Sequence, residues 1–140
     1  MRVMTIGTFD LFHRGHVKLL ATCRKIAGPK GEVIVGVNSD QFVREYKGKS
    51  AIMDEQTRQE VVAACRYADR VPLNVDNGST LIHFWTPDIL VIGNDWATRD
   101  YYEQIGMTQD DLDFYGITLL YTTYTLGVSA SDYRRRLNGI

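Results

Sequence analysis

Val3-Met4-Thr5-Ile6-Gly7-Thr8-Phe9-Asp10-Leu11-Phe12-His13-Arg14-Gly15-His16 is the stretch from which the rest of the chain can be ordered. Its first four residues form a short apolar run of strand length. Beyond it Val17, Leu19, Leu20, Ile26 and Ala27 fit helical spacing. A strand that turns through a polar loop into a helix is the opening half of a βαβ unit. The loop places His13 and His16 at the start of that helix, where backbone N–H groups lack partners and the macrodipole is positive. Histidines there can donate to a phosphate, and Gly15 between them lets a ligand approach the backbone. The segment reads as a nucleotide-binding catalytic loop. Two other readings stand beside it. The histidines could be structural hydrogen-bonders, or, sharing one helix face, metal ligands. A protein-built zinc site needs a third or fourth ligand, and His83, Cys23 and Cys65 supply no Cys-x-x-Cys spacing, so none is expected.

Outward from this loop, strand-like and helical patterns alternate. The spacing predicts a strand over 2–6 and a helix over 14–27 that Gly28-Pro29-Lys30-Gly31 stops. A β-branched strand over 32–37 follows, then a short helix over 39–44 capped by Ser39 or Asn38. Residues 45–53 read as a polar loop. A third helix over 55–67 has Asp54 as cap and Val61, Val62, Ala64 and Cys65 as its buried side. Strands are expected over 70–73, 88–92 and 117–121. A helix over 78–85 ends before Pro87, two helical pieces over 99–115 break at Gly106 with Thr108 as a cap, and a last helix starts at Ser129 or Ser131. The expected architecture is one Rossmann-like, doubly wound α/β domain over 1–140 with a five-stranded parallel sheet. In such sheets ligands bind beyond the carboxyl ends of the strands where strand order reverses. The loops at 7–16, 93–96 and 124–131 should meet there.

Composition narrows the class. A formal charge of −1 argues against a nucleic-acid binder, which would show a basic excess. Cys23 and Cys65, in apolar helical contexts, read as small buried hydrophobes and suggest a reducing compartment. No apolar run approaches about 18 residues and the N-terminus lacks a signal-peptide core, so a cytoplasmic protein without membrane insertion is expected.

At these residues the chain resembles the cytidylyltransferase family of the His-x-Gly-His nucleotidyltransferases, most closely the glycerol-3-phosphate cytidylyltransferases. Gly7-Thr8-Phe9-Asp10 with His13-x-Gly15-His16 matches the signature loop. Arg66-Tyr67-Ala68-Asp69-Arg70-Val71 is similar to the family's Arg-Tyr-Val-Asp-Glu-Val, Gly93-Asn94-Asp95-Trp96 to Gly-Asp-Asp-Trp, and Gly127-Val128-Ser129-Ala130-Ser131 to Gly-Ile-Ser-Thr-Thr. The resemblance implies attack of a phosphoalcohol, sn-glycerol 3-phosphate first, on the α-phosphorus of CTP. The products would be a CDP-alcohol and pyrophosphate.

What the resemblance implies for residues follows the chain. His13 and His16 contact the triphosphate, His16 stabilising charge near the α-phosphate, and Lys47, from the polar loop, folds over the phosphates. Gly7, Thr8, Phe9, Asp10 and Gly15 shape the nucleotide loop, with Asp10 orienting ribose, a histidine or a metal-bound water. Arg58 lies near the phosphates. Gly93, Asp95, Thr125, Gly127 and Ser129 complete the nucleotide site; Asp10, Asp95 and Trp96 are the candidates for holding the acceptor. Mg²⁺ accompanies the triphosphate without a protein cage. The partners implied are CTP, the phosphoalcohol and a second copy in a homodimer. Departures bear on the acceptor. Tyr124 stands where the family has a triphosphate-binding arginine, for which Arg99, Arg134 or Arg135 could substitute; Asn94 replaces an aspartate; and residues 97–112 are longer than in the relatives. The same loop also serves adenylyl or cytidylyl transfer to sugar phosphates, flavin mononucleotide or phosphocholine-like acceptors. A nucleotide-binding protein without turnover is the remaining alternative.

Overall fold

The computed structural model describes residues 1–93, 100–123 and 129–139. Five parallel strands, β1 (Arg2–Gly7), β2 (Glu32–Asn38), β3 (Leu73–Asn74), β4 (Ile89–Gly93) and β5 (Thr118–Thr122), lie in the order β3-β2-β1-β4-β5. Helices cover both faces. These are α1 (Arg14–Ala27), α2 (Asp40–Lys47), α3 (Glu55–Ala63), α4 (Ser79–Trp85), α5 (Tyr101–Ile105), α6 (Gln109–Tyr115) and α7 (Ala130–Asn138). Strand order reverses beside β1, so the loop that leaves β1 emerges at the switch point.

Period-two alternation divides the core between the faces. Val3, Val33, Val35, Val37 and Val91 pack with Leu20, Cys23 and Ala27 of α1 and Val62 of α3. Met4, Ile34, Leu90 and Ile92 point the other way, onto Leu81 and Ile82 of α4, Ile105 of α5 and Leu112 of α6. Strands buried on both faces lack polar side chains in their interior, as β2 does from Val33 to Val37. No helix among the described residues is long and apolar enough to cross a membrane.

Local chemistry sets most boundaries. α1 runs over the predicted residues, though Val17 faces solvent and Leu20 and Cys23 take the core. Ser39, Asp54, Thr108 and Ser129 each accept a backbone N–H from the first turn of their helices. Gly106 ends α5 at φ +65°, a region that favours glycine.

Several expectations are corrected. α2 continues to Lys47, stopped by Gly48 at φ +71°, so Lys47 lies in its last turn and not in a loop. α3 ends at Ala63, because the N–H of Ala64 bonds back to Glu60 and Val61 and a turn begins. Its interior side is Arg58 and Val62; Val61 and Ala64 are exposed, and Cys65 is only partly buried beyond the helix. Strand β3 is shorter and later than predicted. The Asp69 carboxylate takes the Val33 N–H at 2.7 Å, and Arg70 makes a lone bridge to Ile34 before regular pairing starts at Leu73. Asp69 also pairs with Arg24 of α1, tying that helix to β2.

Candidate active site

The loop from β1 into α1 is held by its own histidines. His13 is the N-cap, its Nδ1 accepting from the Gly15 N–H at 3.1 Å. His16 occupies the third helical position, its Nδ1 accepting from the His13 N–H at 3.1 Å. This is a capping box written in imidazole. It consumes first-turn N–H groups that would otherwise be offered to an anion, and Gly15 contributes one of them. It also fixes the tautomers: a neutral ring that accepts at Nδ1 carries its proton on Nε2. Among the described residues neither Nε2 meets a protein partner. The rings stack with centroids 3.8 Å apart, both partly exposed, with Phe12 stacked on His16 and Phe9 edge-on to it. Phe9 and Leu11 hold left-handed backbone, φ +56° and +48°, which side chains rarely adopt and which clusters at functional sites. The Phe9 ring fits because Gly7 has no side chain; a Cβ there would lie 3.1 Å from it.

Burial, followed by the neighbouring His13 charge, lowers the His16 pKa to about 4, against an opposing pull from Asp10. Burial, then Arg14, lowers His13 as well. Both rings are neutral donors near pH 7. For His16 the unfolded chain binds the extra proton between about pH 6.5 and 4, so its stabilising contribution is complete above about 6.5 and is lost as the pH falls to about 4. Over that window the parent is expected to lose up to about 3 kcal/mol more unfolding free energy than a His16→Asn protein. Urea denaturation at pH 7, 5.5 and 4 checks this; parallel curves for the two proteins would refute it.

Asp10 is 3% exposed and faces inward. Its carboxylate accepts from the N–H groups of Ile52 and Met53 at 2.8 and 2.9 Å and from Arg134 of α7 at 2.5 Å. Burial raises its pKa, but the two backbone bonds and Arg134 outweigh that and leave it lowered. These bonds latch 52–53 and α7 to the loop. Arg58 is likewise held by the protein. Its guanidinium is fully buried and donates to the carbonyls of Met53, Thr8 and Asn38 and to the Asp40 carboxylate, at 2.7–2.8 Å. It holds the site's walls and offers no surface to a phosphate.

Lys47 stands near these groups. Lys47 is exposed as a residue, but desolvation of its ammonium, then Arg134, lowers its pKa, with Asp10 acting oppositely. Lys47 and Arg134 thus bring positive charge to one side of the loop. Ser129 caps α7, accepting from Asp132 at 3.0 Å, and Gly93 ends β4. Asp95, Trp96, Thr125 and Gly127, with Tyr124, lie outside the described residues. Among the described residues no group of three His, Cys, Asp or Glu could cage a metal.

The arrangement can be compared with known proteins. The family model "Cytidylyltransferase-like" matches residues 4–136. The chain belongs to the cytidylyltransferase-like family. An FAD synthase of Korarchaeum cryptofilum is 36% identical to this cytidylyltransferase-like chain over 104 residues, covering 74% of it and 71% of the relative. A choline-phosphate cytidylyltransferase of Saccharomyces cerevisiae is 36% identical over 137 residues, 94% of this chain but 30% of that protein. The bifunctional protein HldE of Cronobacter sakazakii is 40% identical over 100 residues, 70% of this chain and 20% of its own length. This chain thus spans less than a third of the last two. The crystal structure of a lipopolysaccharide core biosynthesis protein from Thermoplasma volcanium superposes with a TM-score of 0.69 at 30% identity, covering 89% of this chain and 96% of that one.

Sequence reasoning missed the side chains flanking the loop on the β2 side. Asn38 and Asn74 end neighbouring strands and are joined, Asn74 Nδ2 to Asn38 Oδ1 at 2.9 Å. The available signal was an asparagine at the carboxyl end of each strand, where this fold binds ligands.

Proposed function

We propose that the chain transfers a nucleotidyl group from a nucleoside triphosphate, CTP in the first reading, to a phosphorylated alcohol such as sn-glycerol 3-phosphate. An acceptor phosphate oxygen attacks the α-phosphorus, a new P–O bond forms, and the bond to the β-phosphate breaks, releasing pyrophosphate. No protein nucleophile is required; alignment and charge stabilisation suffice. The observation that supports this reading is the paired-histidine capping box, which aims chemistry through Nε2 by fixing both tautomers. His13 and His16 donate from Nε2 to the triphosphate, His16 at the α-phosphate. Lys47 neutralises the departing pyrophosphate. Arg134 supplies the positive charge that Tyr124 lacks. Mg²⁺ travels with the triphosphate; Asp10 is engaged by protein donors, and among the described residues no cluster of His, Cys, Asp or Glu would cage the ion.

Adenylyl transfer is the second reading, favoured by the likeness to an FAD synthase. One experiment decides: incubation with CTP or ATP, Mg²⁺ and each acceptor, with pyrophosphate measured. CTP-dependent release is expected; release with ATP alone would remove the cytidylyl reading, and no release with either would remove both. In the same assay Lys47→Met is expected to lower kcat/KM by about 10- to 100-fold, the scale of one charge-assisted contact. An unchanged kcat/KM would remove Lys47 from the site.

A further inference from the structure

Segment 40–55, which carries Lys47, leaves the sheet and returns to its own starting point. The Asp40 N–H donates to the Glu55 carboxylate at 3.0 Å, and the Glu55 N–H donates to the Asp40 carboxylate at 3.2 Å. Asp40 opens α2 and Glu55 opens α3, so each acid satisfies a first-turn donor of the other's helix. Ser39 and Asp54 accept from Phe42 and Thr57 and do not duplicate these bonds. Two helix starts, positive end beside positive end, are thus joined by the carboxylates between them. Arg58, fully buried, donates to the other Asp40 oxygen at 2.7 Å and offsets the repulsion between the two acids. The result is a compact surface loop with touching ends.

Beyond this clasp α2 is lightly held. Val43 is its one buried residue, and residues 44–50 are exposed. Asp10 pins Ile52 and Met53, but these lie on the return limb, past the stop at Gly48. The direction of α2 therefore rests on Val43 and on the clasp. Lys47 stands at the far end, where with Thr8 it lines a cavity of about 260 Å³ beside the β1–α1 loop. Glu55 is not among the residues lining it. At about 1.5 Å of rise per residue the Lys47 backbone lies roughly 10 Å from Asp40, so a tilt of about 6° at the base moves it by about 1 Å. Misplacing a group that acts on the reacting phosphates by about 1 Å can cost about 100-fold in rate.

Resting on the transfer reading above, we infer that Glu55 is a positioning residue for the transfer. With Asp40 it clasps the two helix starts and so sets where α2 holds Lys47. Glu55 touches no substrate; its effect passes through Lys47. What the clasp needs from Glu55 is an acceptor oxygen for the Asp40 N–H, which a neutral amide also supplies.

The test measures kcat/KM by pyrophosphate release, with CTP and with ATP, for the parent, Glu55→Ala, Glu55→Gln, Lys47→Met and the double variant Glu55→Ala with Lys47→Met. Glu55→Ala is expected to lose about 10-fold. Glu55→Gln is expected to stay within about threefold of the parent, because its amide oxygen still accepts. In the Lys47→Met background Glu55→Ala is expected to cost less than about twofold, since the group it positions is already gone. A merely structural loss would appear in both backgrounds. Should Glu55→Ala not fold, Glu55→Asp, too short to reach the Asp40 N–H, takes its place in both comparisons. Parental activity in Glu55→Ala, glutamine no better than alanine, or an equal loss in both backgrounds would each overturn the inference. If the parent releases no pyrophosphate with any acceptor, the transfer reading fails. Calorimetric titration of inorganic pyrophosphate into the same proteins then judges the clasp alone. Binding that Glu55→Ala weakens, Glu55→Gln restores and Lys47→Met makes insensitive to Glu55 upholds it; any other pattern ends it.

Discussion

A His16→Asn protein is expected to lose at least about 100-fold in kcat, the scale of one transition-state donor, while keeping its fold. The reasoning separates the two nitrogens. Asparagine Oδ1 sits near the position of Nδ1 and can still accept the His13 N–H that closes the capping box. Nothing in asparagine reaches the Nε2 position. Stacking on Phe12 and His13 is lost, which costs about 1 kcal/mol and a few degrees of melting temperature. His16→Gln carries one amide that can reach the Nε2 position or fold back onto the His13 N–H as glutamine does in a capping box, but not both at once. The expected order in kcat is parent, then glutamine, then asparagine. Pyrophosphate release and thermal unfolding on the same three preparations read both scales. A His16→Asn protein that turns over at the parental rate would mean the ring is only a cap.

How much of this was legible in the sequence depends on how local each feature is. α1, its histidine start and the caps Ser39, Asp54 and Thr108 are decided within three or four residues, and the sequence displays them. So was the stop for α2, in Gly48, although the polar character of 45–53 disguised it as a loop. The protein partners of Asp10 and Arg58 were not legible locally, because they lie far along the chain. Asp10 meets Arg134, 124 residues away, and Arg58 meets Thr8, 50 residues away. An aspartate in a signature loop and an arginine four residues into a helix look like ligand contacts until the fold supplies other acceptors and donors. Helical periodicity put Val61 inside; the core took Arg58 on that helix, because three carbonyls and a carboxylate were waiting there. The Asn38–Asn74 pair likewise exists only once β2 and β3 lie side by side.

Arg58→Met is expected to be among the most destabilising single changes in the protein, about 3–5 kcal/mol by urea denaturation. Methionine fills the volume but returns none of the bonds. The carbonyls of Thr8, Asn38 and Met53 would be left without their donor, and the Asp40 carboxylate would lose its countercharge. Arg58→Lys should recover little, since a point charge cannot span four acceptors on three segments. Adding Asp40→Asn to Arg58→Met should restore part of the loss, because the carboxylate left behind is then neutral; the double-mutant cycle measures that coupling. A loss below about 1 kcal/mol for Arg58→Met would show that the guanidinium is not held as described. The same bonds anchor the start of the β1–α1 loop, because Arg58 fixes the backbone at Thr8 and, beside it, at Asn38. In whatever fraction of the variant remains folded, the nucleotide KM should therefore rise as well, a change that general destabilisation does not produce.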